Sequence, residues 1–158
     1  MKNKTWKAYL FWIVFTEGVG VLSALLTREG SKIYAASVVK SPLSPPPVVF
    51  PVAWTLLYAL MGVGAAKVYL SPASADRAKS LRLFLAQLTV NFAWSFVFFN
   101  AQAFGAAFVL LTTLLALVLW MTLTFRRVDR LAAGLQIPYL LWLAFAGYLS
   151  LNVWLLNA

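Results

Sequence analysis

The sequence predicts an all-α integral membrane protein built as a bundle of five transmembrane helices. Of its 158 residues 63% are hydrophobic, and the mean hydropathy is +0.84. A water-soluble domain of this size could not cover such a chain with polar surface. Five apolar runs also approach the roughly 20 residues that an α-helix needs to cross a hydrocarbon core. They take up most of the chain, so residues 1–158 read as one domain.

The first run, 8–26, lacks a small-residue cleavage site and is expected to stay as a helix, not to be removed as a signal peptide. Trp6, Trp12 and, at the far end of the chain, Trp154 suit an interfacial aromatic belt. Glu17 falls near the middle of this run, where an ionisable group costs about 3 kcal/mol unless it faces the bundle or a cavity. It is expected to face the bundle or a cavity and not lipid, paired with polar atoms of a neighbouring helix, or serving as a protonated hydrogen-bond donor to a ligand or a proton-linked switch. Next comes the first loop, 27–46, in which Ser31 could cap a short helix with Ile33, Tyr34 and Val38 on one face. Such a segment is either an interfacial rest or a lid.

The stretch KSPLSPPPVVFPVAW, 40–54, holds five of the seven prolines. Proline fixes φ near −65° and disfavours helix in the residue before it, so the run reads as a stiff extended strut. Pro51 is tolerable near a helix start, where its missing N–H would be unpaired anyway. The second run, 47–69, puts Trp54 and Tyr58 on one helical face, and the third, 83–101, does the same for Gln87, Asn91 and Trp94. The two amides either bond neighbouring helices or line a cavity. The fourth run is 104–125. The fifth, 135–156, places Tyr139, Trp142 and Ala146 on one face. Gly20 with Ala24 and Gly62 with Ala66 form small-residue pairs that let helix backbones approach closely.

Ten of the 13 basic residues fall on one side of this topology, and only Arg28, Lys32 and Lys40 on the other. By the positive-inside rule the N-terminus is expected in the cytoplasm and the C-terminus outside. The same placement accounts for the net charge of +9 without nucleic acid. Cysteine and histidine are absent, which excludes disulfides, thiol nucleophiles and Cys or His metal and haem ligation. No metal site and no required cofactor is expected. Three of the four acidic residues, Glu29, Asp76 and Asp129, sit in loops, so a carboxylate pair for hydrolysis has no place inside the membrane.

PPPVVFPVAWTLLY at 45–58, QLTVNFAWSFVFF at 87–99 and PYLLWLAFAGYLS at 138–150, in that order and on those helices, resemble the TspO family of tryptophan-rich sensory and translocator proteins. The resemblance covers nearly the whole chain. It implies a five-helix bundle, commonly a homodimer, in the inner membrane of a bacterium. It further implies a pocket beneath the first loop that binds porphyrins and synthetic isoquinoline or benzodiazepine-type ligands. Carried over by position, that pocket would use Tyr34, Pro45, Trp54, Tyr58, Gln87, Asn91, Trp94, Trp142 and Ala146. Trp54 and Trp142 would be the catalytic pair if the protein degrades protoporphyrin under light. The chain departs from the family at Leu43, in place of a strut tryptophan, and at Ser41, in place of a proline. A sterol-recognition pattern is broken at Leu151 and Leu155, so sterol binding has little support there.

A porphyrin is a broad π-system with carboxylate edges, suited to aromatic faces and to the loop cations Arg28, Lys32 or Lys40. Three readings stay open at this level: a porphyrin-binding receptor or sensor, a light-dependent porphyrin-degrading enzyme, and a tetrapyrrole transporter. No inverted repeat or pair of broken helices supports the third. A retinal photoreceptor is excluded, since no lysine lies at the centre of a run to form the Schiff base.

Overall fold

The computed structural model describes residues 2–158, and among these every regular element is helical. Helix α1 is Lys2–Leu26, α2 Arg28–Ser37, α3 Val49–Leu70, α4 Ala75–Ser95, α5 Phe104–Val128, α6 Arg130–Gly134 and α7 Ile137–Leu156. A π-helical turn, Phe96–Asn100, continues α4. The five stretches long and apolar enough to cross a membrane are α1, α3, α4 with its π turn, α5, and α6 with α7.

Several boundaries differ from the sequence expectation because local chemistry extends or interrupts the apolar runs. The third span starts at Ala75, not near 83, since Ser74 Oγ accepts a hydrogen bond from the Arg77 amide at 3.0 Å and caps two polar turns. The first likewise extends back to Lys2. In the loop, the helix begins at Arg28, three residues before the expected cap at Ser31. Thr27 stands at its N-cap but turns its hydroxyl back, donating to the Ser23 carbonyl at 2.8 Å. At the start of the fifth span, Asp129 caps α6 by accepting from the Ala132 amide at 2.8 Å. The chain then breaks at Leu135–Gln136 before α7, which carries Pro138 in its first turn.

Helix α1 packs on α3, α3 touches α4, α4 packs on α5 and α5 on α7. Small residues set the first of these contacts. A Cβ on Gly20 would lie 2.5 Å from the Tyr58 ring, so glycine there makes room for the tyrosine. Thr16, fully buried, donates through its hydroxyl to the Tyr58 carbonyl at 2.8 Å. Among the described residues, Met61, Phe84, Leu111, Leu114, Val118, Met121, Phe125 and Leu143 are fully buried or nearly so and form the central packing. In a bilayer such packing works through dispersion and close fit, because lipid tails are as apolar as the side chains.

Candidate functional site

The backbones of α3 and α7 do not pack closely against one another, and aromatic rings span the space between them. Trp54 and Trp142 meet edge to face with ring centres 6.4 Å apart. Trp54 also contacts Tyr58 at 5.5 Å and Tyr139 at 6.2 Å, while Phe50 meets Trp142 at 5.9 Å. The strut delivers Phe50 and Trp54 directly, as the first two turns of α3.

Beneath these rings runs a buried polar chain with a defined direction. The Tyr58 hydroxyl donates to Asn91 Oδ1 at 2.9 Å, and Asn91 Nδ2 donates to the Tyr139 hydroxyl at 2.7 Å. Tyr139 in turn donates to Gln87 Oε1 at 2.9 Å, and Gln87 Nε2 approaches Met61 Sδ at 3.8 Å. Gln87 and Asn91 are almost wholly buried, yet both amides find partners, as buried polar groups must. Every link crosses from one helix to another, so the chain ties α4 to both α3 and α7.

A second group lies under the first loop. Trp94 stacks on Phe98 at 5.0 Å, and Tyr34 of α2 reaches the same Phe98 at 5.2 Å and Phe99 at 5.5 Å. Burial pushes the Tyr34 phenol above its ordinary pKa. Lys40 lies over the Tyr34 ring, 4.9 Å from its centre. The π turn helps this arrangement. Its wider winding buries Phe98 and lets Asn100 Nδ2 donate to the Leu26 carbonyl at 3.1 Å.

Two indole nitrogens stand out. Trp94 Nε1 and Trp142 Nε1 are buried and have no hydrogen-bond acceptor among the described residues. A buried donor left without a partner costs about 1–3 kcal/mol. A bound molecule carrying carbonyl or carboxylate oxygens could supply what the protein does not.

Of the residues singled out in the sequence, Trp54, Tyr58, Gln87, Asn91 and Trp142 thus come together, and Tyr34 joins Trp94 through Phe98. Ala146 is half-buried against the same central packing. Pro45 is half-buried in the strut. Sequence reasoning did not count Tyr139 as a site residue, although its place on one face with Trp142 was readable; it proves to be the middle of the polar chain. Phe50 and Phe98 were also missed. Leu43 is 64% exposed, so this departure from the family pattern points away from the rings. Ser41 is buried and shapes the strut, its carbonyl accepting from the Ser44 amide at 3.0 Å.

Glu17 differs from expectation. It makes no hydrogen bond or ion pair among the described residues. Half-buried, it lines an open cleft of about 430 Å³ along α1, with Ile13, Val14, Gly18, Val21, Leu22 and Leu25. The polar partner expected for it is absent among the described residues, while the neighbouring Thr16 and Gly20 are committed to α3. Of the face expected in α2, Tyr34 and Val38 pack inward while Ile33 is 55% exposed.

Comparison with known proteins agrees with this architecture. The sequence model of the TspO/MBR family matches residues 11–155. The chain is 34% identical to the tryptophan-rich protein TspO of Chlorobaculum tepidum over 140 residues, covering 88% of this chain and 89% of that one. It is 34% identical to the translocator protein of Ovis aries over 146 residues, 91% and 86% of the two chains. With the tryptophan-rich protein TspO of Archaeoglobus fulgidus it shares 32% identity over 143 residues, 89% and 90%. A five-span helical bundle matched over nearly its full length places the chain in the TspO/MBR family, as an integral membrane protein.

Proposed function

We propose that this protein is a membrane receptor or sensor that binds porphyrin-type ligands, protoporphyrin IX and haem-like tetrapyrroles, beneath its first loop. Isoquinoline or benzodiazepine-type ligands would use the same place. The observation that carries the reading is the ring-spanned space between α3 and α7, where the buried Trp142 N–H has no acceptor, together with the like N–H of Trp94 in the ring group under the first loop. A flat macrocycle can exchange edge-to-face ring contacts for stacking, and its carboxylate or carbonyl oxygens can accept from Trp94 or Trp142. Tyr34 and Pro45 would close the site from the loop side, and Ala146 would leave room on α7. In this reading the molecule is a homodimer in a bacterial inner membrane, with its N-terminus cytoplasmic and its C-terminus outside.

A second reading is supported by the 6.4 Å separation of Trp54 and Trp142. Two adjacent oxidisable indoles suit light-driven breakdown of the porphyrin, with the macrocycle as sensitiser and dioxygen as oxidant. Transport of a tetrapyrrole is the third reading, and no structural feature here favours it over binding.

Titration with protoporphyrin IX, followed by tryptophan quenching in darkness and then by the porphyrin spectrum under light, separates these readings. Saturable quenching with an unaltered spectrum supports the receptor. A new product formed only under light, and lost in a Trp54→Phe, Trp142→Phe variant, supports the enzyme. Absence of saturable quenching overturns both.

A further inference from the structure

The first loop is fixed to the bundle at three places of different character. Near its start, Gly30 is pressed against the π turn, where an added Cβ would lie 2.5 Å from the Phe99 carbonyl oxygen. In the middle, Tyr34 is seated on Phe98 and Phe99. The first is buried, the second half-buried, and both depend on close fit. The third is polar and exposed. Asn157, just past the end of α7, accepts from the Val39 amide through Oδ1 at 3.0 Å and donates through Nδ2 to the Val39 carbonyl at 2.8 Å. One planar carboxamide thus pairs with both backbone groups of one residue, 118 residues away in sequence. The Asn157 Nδ2 also donates to the Val153 carbonyl at 2.7 Å, which sets the orientation of the amide on its own helix.

Position gives this pairing its consequence. Val39 is the last free residue between α2 and the strut. Lys40 follows, folded back with its ammonium on the Ala35 and Val38 carbonyls at 3.2 and 3.1 Å and over the Tyr34 ring. Ser41 then opens the strut that leads to Phe50 and Trp54. A release at Val39 therefore frees the junction of lid and strut while Gly30 and Tyr34 stay docked. Hydrogen bonds open to water exchange readily with water, whereas buried ring contacts do not.

We propose that Asn157 is a latch, a positioning residue that holds the first loop closed over the ligand site and whose release admits and discharges the ligand. The proposal rests on the porphyrin-binding reading for its ligand. The latch itself is readable without ligand.

Three measurements on the full chain in detergent micelles test it. In Asn157→Ala, amide exchange at Val39 is expected to rise about tenfold, as loss of two exposed hydrogen bonds implies. Uptake and release of protoporphyrin IX, followed by stopped-flow tryptophan quenching, should both accelerate by a similar factor with Kd little changed. A residue that only shaped the closed site would instead change Kd through release alone, and that result would overturn the proposal. The chain has no cysteine, so a Val39→Cys, Asn157→Cys variant can be joined by a short reducible thiol cross-linker. The cross-linked form is expected to slow both rates, and a reductant to restore them. Equal rates before and after reduction, or unchanged Val39 exchange in Asn157→Ala, would sink the latch. If the wild-type protein shows no saturable quenching, the binding reading fails, while Val39 exchange still decides whether the latch exists.

Discussion

Ile13 of α1 crosses Gly62 of α3 so closely that a Cβ at position 62 would lie 2.7 Å from the Ile13 Cα and 2.9 Å from its amide nitrogen. The obstacle is backbone, so no rotamer change can relieve it. Gly62→Ala is therefore expected to push α1 away from α3 and to cost about 1–3 kcal/mol, as over-packing commonly does. Because Thr16 on α1 holds the Tyr58 carbonyl, the displacement should also weaken porphyrin binding. Thermal unfolding in detergent, alongside the protoporphyrin titration, checks both effects. An unaltered melting temperature would mean that the two helices are not in contact at this point.

The polar chain makes an ordered prediction about three hydroxyl and amide groups. Tyr139→Phe removes two bonds, one accepted from Asn91 and one donated to Gln87, whereas Tyr58→Phe removes one. Tyr139→Phe should be the more destabilising. A double-mutant cycle between Tyr58→Phe and Asn91→Leu should give a coupling of about 1 kcal/mol, within the range found for hydrogen bonds between membrane helices. If Tyr58→Phe costs more than Tyr139→Phe, Tyr139 does not hold the two bonds assigned to it.

What could be read beforehand follows from the distances over which the physics acts. The five spans, the stiff strut and the shared faces of Trp54 with Tyr58 and of Gln87 with Asn91 are set by local composition and helical period, so the sequence shows them. The meeting of Trp54 with Trp142 depends on how two helices without close backbone packing are placed, and the sequence shows each only on a face of its own helix. Tyr139 was missed for the same reason: its importance lies in partners on α4, 48 and 52 residues away. The Asn157 pairing with Val39 joins two exposed polar sites by a single side chain and leaves no periodic trace. That Glu17 finds no hydrogen-bonding partner could not be read either, because such partners come from other helices.

That placement of Glu17 can be tested directly. Half-buried on α1, its carboxyl has no hydrogen-bonding partner among the described residues. Glu17→Leu extends the apolar face and is expected to leave the melting temperature unchanged or raise it. Glu17→Gln should be neutral. A fall of several degrees in either variant, measured by the same thermal unfolding, would reveal a partner for the carboxyl.

Tyr34 supplies a pH dependence whose sign can be worked out. Desolvation raises its pKa in the folded protein above the ordinary phenol value near 10, so the folded state favours the neutral form. The stability contribution of the docked phenol is therefore complete below the unfolded pKa and is lost as pH rises through the folded one. Wild-type protein should show loosening of the first loop only above about pH 10, the unperturbed tyrosine value. Phenylalanine cannot ionise yet keeps the ring on Phe98 and Phe99. Tyr34→Phe should accordingly hold the loop closed to higher pH, with protection of the α2 amides retained where the wild type loses it. Hydrogen exchange across 28–40 as a function of pH makes the comparison, and identical alkaline profiles for the two proteins would show that the Tyr34 phenol does not govern loop docking.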